Sequence, residues 1–404
     1  MFGKKNTIYL DHASATPPDP RVLRVFTAAQ TLWANPSALY ADGVTAKNLL
    51  EQSRRTVADI VRAHPDEMIF TSGGSEGNNL AIRGIVNAYL SNVTGQLSNV
   101  PNIVTTNIEH ASVLETCRDL EKTGRATVTY VPVEPNGVVD PKKIKEAITP
   151  ETVLVSVMYA NNEIGTIQPI HEIAKVIRYF RKSNVTGELS NVSYPYFHTD
   201  AIQAINYFPL FVDSLGVDLM TLSASKAYGI RGSGILYVRR NTKISPEITG
   251  GEQEYGLRAG TESPALASAC AHALKISADM RDAETSRLTI LRGLLFTELK
   301  KVLPEMIVNG DRELRLPNNV NISIPNISSE MLTLYLGARG VLVSGKSACK
   351  STDESVSHVI AALRPDESPT TGSLRFSLGR ATTESDIHSV IVAIKKVLPL
   401  IQKK

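Results

Sequence analysis

Residues 218–238 read DLMTLSASKAYGIRGSGILYV. An apolar run, Asp218–Leu222, closes on Ser223-Ala224-Ser225-Lys226, and a glycine-punctuated turn then hands over to a second run, Gly234–Val238. Short apolar runs bounded by glycine and small hydroxyl residues predict strands rather than helices. A lysine at a strand end, flanked by hydroxyls and glycines, suits a Schiff-base lysine with phosphate donors beside it. The plain structural alternative is a solvated surface lysine, the usual fate of that residue.

Upstream, the same texture repeats. Strands are predicted at Met68–Thr71, Ile103–Thr106, Thr127–Val131, Thr152–Met158 and Tyr196–Thr199, which with the two above makes seven. Amphipathic stretches lie between them, among them Val44–Arg62, Ser75–Tyr89, Ser112–Lys122 and Ile170–Arg181. Continuous apolar strands separated by helices predict an α/β fold with a mostly parallel sheet covered on both faces. In such sheets ligands sit beyond the carboxyl ends of the strands. Downstream of the glycine-rich stretch Thr249–Gly260 the pattern changes. Two helices, about Pro264–Ser277 and Asp279–Leu303, precede strands at Asn319–Ile324, Val341–Ser344 and Gly372–Leu378. A last helix, Thr383–Leu400, opens on the capping sequence Thr383-Glu384-Ser385-Asp386. This part reads as a smaller α+β domain.

The 404 residues exceed one ordinary core, so two domains are expected. With 42% hydrophobic and 21% charged residues the chain has the profile of a globular enzyme. No apolar run approaches a membrane span, and the start MFGKKNTIYLDHASATPP has no apolar core of a signal peptide, so no membrane partner and a cytoplasmic location are expected. A net charge of +3 with interspersed signs argues against direct nucleic-acid binding. Three cysteines make no disulfide framework and no C-x-x-C pair. Residues 91–100 (SNVTGQLSNV) and 183–192 (SNVTGELSNV) nearly repeat one decapeptide, best read as polar insertions in surface loops.

Five further stretches carry chemistry. Thr71-Ser72-Gly73-Gly74-Ser75-Glu76 runs from strand through glycine turn to helix, where free backbone N–H groups make a phosphate site. It matches neither a Walker loop nor the dinucleotide fingerprint. Asp200, in His198-Thr199-Asp200-Ala201-Ile202-Gln203, can keep a pyridine nitrogen protonated and so turn pyridoxal 5'-phosphate (PLP) into an electron sink. Gln203 could reach the phenolic oxygen of that ring, and a helix N-cap is the structural alternative for Asp200. His110, between a strand and the next helix, can stack on a flat ring and shuttle a proton. Cys349, in Val343-Ser344-Gly345-Lys346-Ser347-Ala348-Cys349-Lys350-Ser351, has lysines on both sides that favour an exposed thiolate, whereas Cys117 and Cys270 read as packed residues. Arg375, inside the apolar strand Gly372–Leu378, needs an anionic partner, which a substrate α-carboxylate supplies.

These motifs, together with Tyr9–Pro17, Asn161-Asn162-Glu163-Ile164-Gly165-Thr166 and Arg375–Arg380, make the chain resemble the NifS/IscS-type cysteine desulfurases of the class V aminotransferase group. The resemblance spans nearly the whole sequence. It implies a homodimer of fold-type I PLP-dependent transferases, with a large domain over 16–262. The small domain would be 1–15 and 263–404, carrying a cysteine loop at about 344–355. It implies that Lys226 is the lysine joined to PLP, His110 the stacking acid/base and Asp200 the pyridinium partner. Gln203 and Asn162 would face the phenolic oxygen, and Gly74, Ser75 and Ser223 would cradle the phosphate. Thr261 would reach the phosphate from the second subunit, Asn35 and Arg375 would hold the substrate carboxylate, and Cys349 would take sulfur from L-cysteine. No metal is implied; a sulfur-acceptor protein, an Fe–S scaffold or a tRNA-thiolation protein, is. Ser225 stands where the family usually has histidine, which implies weaker cofactor retention though its hydroxyl still serves the phosphate. Ser75 replaces a threonine, Gly345-Lys346 alters the approach to the cysteine, and the extended C-terminus of some members is not expected here. Selenocysteine lyase or another class V activity is the neighbouring alternative.

Overall fold

The structure is a computed structural model, and it describes residues 7–92, 100–183, 194–325, 327–345, 357–364 and 373–401. Cys349 and most of both near-identical decapeptides lie outside the described residues.

The seven predicted strands form one sheet in the order Met68–Thr71, Gly234–Val238, Leu219–Ser223, Tyr196–Asp200, Thr152–Ser156, Asn102–Thr106, Thr127–Val131. Gly234–Val238 runs antiparallel to both neighbours and every other pairing is parallel. The reversal follows from the glycines after Lys226. Gly234 pairs with both Thr71 and Ser223, and a Cβ on it would fall 2.6 Å from the Gly73 Cα. Only glycine fits between those two backbones.

Consecutive strand residues belong to different apolar clusters. Val104, Val155, Phe197 and Met220 pack on one face, and Ile103, Leu154, Tyr196 and Leu219 on the other. That is the period of two expected for a sheet buried on both sides, so the strands read as unbroken apolar runs.

A second core surrounds the three-stranded antiparallel sheet Ser373–Ser377, Asn319–Ser323, Ile307–Val308. Ile8–Tyr9 pairs in parallel with Val341–Leu342 beside it. The last helix, Glu384–Ile401, begins as its sequence requires, with Asp386 Oδ2 accepting from the Thr383 N–H and the Thr383 hydroxyl, both at 2.8 Å.

One prediction fails here. The two helices expected at Pro264–Ser277 and Asp279–Leu303 are a single helix, Pro264–Val302, of 39 residues. Ser263 caps it and Pro264 starts it. The apolar stripe looks interrupted because it changes partner: Cys270, Ala271 and Leu274 pack into the large-sheet core, whereas Leu288, Leu291, Leu295 and Leu299 pack into the second. Among the described residues no helix is long and apolar enough to cross a membrane.

Candidate active site

The carboxyl edge of the large sheet opens into a cavity of about 250 Å³. Ten of the residues singled out from the sequence line it: Gly74, Ser75, His110, Asn162, Asp200, Gln203, Ser223, Ser225, Lys226 and Arg375. They come from the ends of five strands and from the second sheet, which is why the chain scatters them. Two others lie elsewhere. Asn35 is exposed and its Oδ1 accepts from the Ser37 N–H at 2.9 Å. Thr261 is exposed in a separate groove with Arg258 and Ser263.

Lys226 ends a 3₁₀ turn, Ala224–Lys226, that continues the strand Leu219–Ser223. Its backbone is pinned from three sides. Asn206 Nδ2 donates to the Lys226 carbonyl at 2.6 Å, Thr16 Oγ1 donates to the Ser225 carbonyl at 2.9 Å, and Gly229 N–H donates to the Ala224 carbonyl at 2.8 Å. The ammonium donates to the Ser14 carbonyl. At one end of the cavity the helix Gly74–Asn92 begins, and the Ser223 and Ser225 hydroxyls lie 3.0 Å apart nearby. A Cβ at Gly74 would fall 2.1 Å from Ile202 Cδ1, so a larger residue at this helix start would have to push the Ile202 side chain aside. Helix N–H groups and paired hydroxyls there match a phosphate dianion.

Asp200 also lines the cavity, 6% exposed, accepting from Asn78 Nδ2 at 2.8 Å and from the Ile202 N–H at 3.0 Å. The second contact closes a local turn rather than capping a helix, because residues 202–207 form turns and no helix starts there, so the expected N-cap is not found. Burial pushes its carboxyl up, while His110, the Asn78 amide, the Ile202 N–H and Lys226 pull it back. A protonated ring nitrogen opposite would favour the carboxylate further. Beneath it His198 is fully buried between Ser156 Oγ at 2.9 Å and Thr221 Oγ1 at 2.9 Å, and burial pushes it down to about 3. His198 is therefore a neutral core residue.

Arg375 is 4% exposed. The sequence left its anionic partner to a substrate; the structure supplies one, because Nη2 donates to Asp11 Oδ1 at 2.7 Å and to Ser14 Oγ at 2.9 Å. Nη1 donates to the Asn162 carbonyl at 2.8 Å. The fully buried Nε has no partner among the described residues. Gln203 Nε2 donates to the Ala13 carbonyl at 3.0 Å. Asp11 and Ser14 were missed, although both lie in the quoted segment Tyr9–Pro17. Nothing in a loop of small residues says that it will fold across a distant arginine.

Glu109 was also missed. Its fully buried carboxylate accepts from the Met158 N–H at 3.0 Å and from Thr106 Oγ1 at 2.7 Å, and burial pushes it up to about 8. The raised value fixes a sign. Between an ordinary 4.5 and about 8 the folded chain alone keeps the proton, so this group lowers stability as pH rises through that window and leaves the full cost above it. Glu109→Gln should flatten the fall by up to about 1.4 kcal/mol per pH unit. Denaturation midpoints at pH 5 to 9 measure it, and an unchanged slope would mean the carboxyl ionises normally.

A lysine, a buried carboxylate, an imidazole and a helix start with two serine hydroxyls surround one cavity, a donor set that fits PLP on the sheet of a fold-type I enzyme. The model of the class V aminotransferases matches residues 8–390. The chain is 39% identical to the cysteine desulfurase IscS of Dictyoglomus turgidum over 98% of its own length and 95% of the relative's. It is 40% identical to the cysteine desulfurase IscS of Clostridium botulinum over 97% and 94% of the two chains. A solved NifS-like protein superposes with a TM-score of 0.87 at 30% identity, covering 98% of this chain and all of the other. The chain belongs to the class V aminotransferase family, whose members are PLP-dependent enzymes.

Proposed function

We propose that the chain is a cysteine desulfurase that converts L-cysteine to L-alanine and leaves the sulfur as a persulfide on Cys349. The observation that carries this reading is that Arg375 lines the same cavity as Lys226 and Asp200, a cation for an α-carboxylate beside the residues that would hold PLP. The names of the relatives support the choice of substrate.

Gly74, Ser75, Ser223 and Ser225 would hold the phosphate, Asp200 the ring nitrogen, Gln203 and Asn162 the phenolic side, and His110 a ring face. Bound PLP supplies the electron sink for the pair released when the α-proton leaves. Arg375 binds and orients the substrate carboxylate. Lys226 takes the α-proton from a fixed backbone position. The Cys349 thiolate attacks the substrate sulfur; an S–S bond forms as the C–S bond breaks, and the carbon fragment keeps that pair, takes up a proton at Cβ, regains one at Cα and leaves as alanine.

The reading includes a cytoplasmic homodimer. Trp33, Leu39, Tyr40 and Tyr255 are exposed side chains that a second copy would cover, and Thr261, which does not line the cavity, would then reach the phosphate across the interface. Residues 16–262 would form the large domain, 1–15 and 263–404 the small one. The acceptor would be an Fe–S scaffold or a tRNA-thiolation protein. The test is to incubate the PLP-loaded enzyme with L-cysteine and measure alanine and protein persulfide together. Equal yields are expected; amino transfer to a 2-oxo acid without persulfide would overturn the reading.

A further inference from the structure

Two side chains outside the cofactor-holding set link His110 to Asp200. Asn78 is fully buried. Its Nδ2 donates one hydrogen to Asp200 Oδ2 at 2.8 Å and the other to Ser112 Oγ at 2.8 Å. A carboxylate only accepts, so the amide nitrogen must face Asp200, and that fixes the amide's orientation. Its Oδ1 is left buried without a partner among the described residues, a cost incurred for that orientation.

Ser112 Oγ, with one lone pair taken by Asn78, lies 2.8 Å from His110 Nδ1. The Ser112 backbone N–H, in the first turn of the helix Ala111–Lys122, donates to the same nitrogen at 3.1 Å. A backbone N–H cannot reverse its polarity. Nδ1 is therefore an acceptor, the hydroxyl turns its own hydrogen toward it, and the ring proton sits on Nε2.

We infer that Asn78 and Ser112 are positioning residues that preset His110 as the Nε2–H tautomer, a proton donor, and thereby leave the removal of the α-proton to Lys226. A ring whose Nδ1 is occupied twice and whose Nε2 is already protonated has no vacant site to receive that proton. His110 instead holds the proton that a later basic atom of substrate or product can take. This inference rests on the desulfurase reading for the identity of the proton, though not for the tautomer itself.

The experiment separates the two. In protein labelled with ¹⁵N-histidine, with and without PLP, the His110 signals are assigned by their loss in His110→Gln. An acceptor-type Nδ1 and a protonated Nε2 are expected near pH 7.5; a proton on Nδ1 would overturn the inference whatever the substrate is. Ser112→Ala removes the hydroxyl and keeps the backbone donor. It should shift the Nδ1 resonance and lower kcat for alanine formation about tenfold, the worth of one hydrogen bond, with KM within about twofold. Ser112→Thr, which keeps the hydroxyl, should restore both. An unchanged kcat in Ser112→Ala, or no rescue by threonine, would sink the positioning role. Failure to form alanine in the wild-type protein would instead sink the desulfurase reading, with the tautomer result still standing.

Discussion

Replacing Lys226 by alanine is expected to lower alanine formation from L-cysteine by about a thousandfold or more and to remove the borohydride-reducible attachment of PLP. The size follows from losing a nucleophile and a base in one side chain, each worth orders of magnitude. The fold should not suffer. The turn that presents Lys226 is held by Asn206, Thr16 and Gly229 through backbone groups that the substitution leaves in place, and the ammonium's own contact is to the Ser14 carbonyl. Wild-type thermal stability with lost activity would therefore mark a chemical defect. A small primary amine added in solution should restore part of the rate. A Lys226→Ala protein that keeps a tenth of its activity would remove the lysine from the mechanism.

Cys349→Ala should abolish persulfide on the protein while leaving the absorbance of the lysine-bound cofactor intact. The structural argument comes from the other two thiols. Cys117 and Cys270 are fully buried, and burial pushes both up to about 12. At neutral pH each is thiolate only about one part in 10⁵, and neither lines the cavity. No cysteine in the chain can substitute for Cys349. Mass spectrometry after incubation with L-cysteine measures the outcome; persulfide found on Cys117 or Cys270 in the variant would overturn it.

Much of this was legible in the chain because the large sheet is buried on both faces. A strand that must be apolar throughout, ended by glycine and hydroxyl residues, announces itself, and Met68–Thr71, Thr127–Val131 and Gly234–Val238 were read to the residue. The residues at those strand ends could be placed in one site by the general rule for parallel sheets. Contacts between distant segments were not legible. Asp11 against Arg375, 364 positions apart, depends on how the second sheet docks. Asn78, Ser112 and Glu109 sit inside stretches already explained as helix or strand end, where an asparagine, serine or glutamate carries no separate signal. The long helix was misread for a related reason: its stripe stays intact while the surface that it covers changes.

That helix also constrains movement. At 1.5 Å per residue its 39 residues make a beam about 58 Å long embedded in both cores. From Ala265 to Arg292 it contains no glycine or proline at which it could bend. The two cores therefore cannot swing about a hinge along it as separate jaws would. Whatever shape change a catalytic cycle demands must fall to the short connections at the strand ends and to the loops between elements.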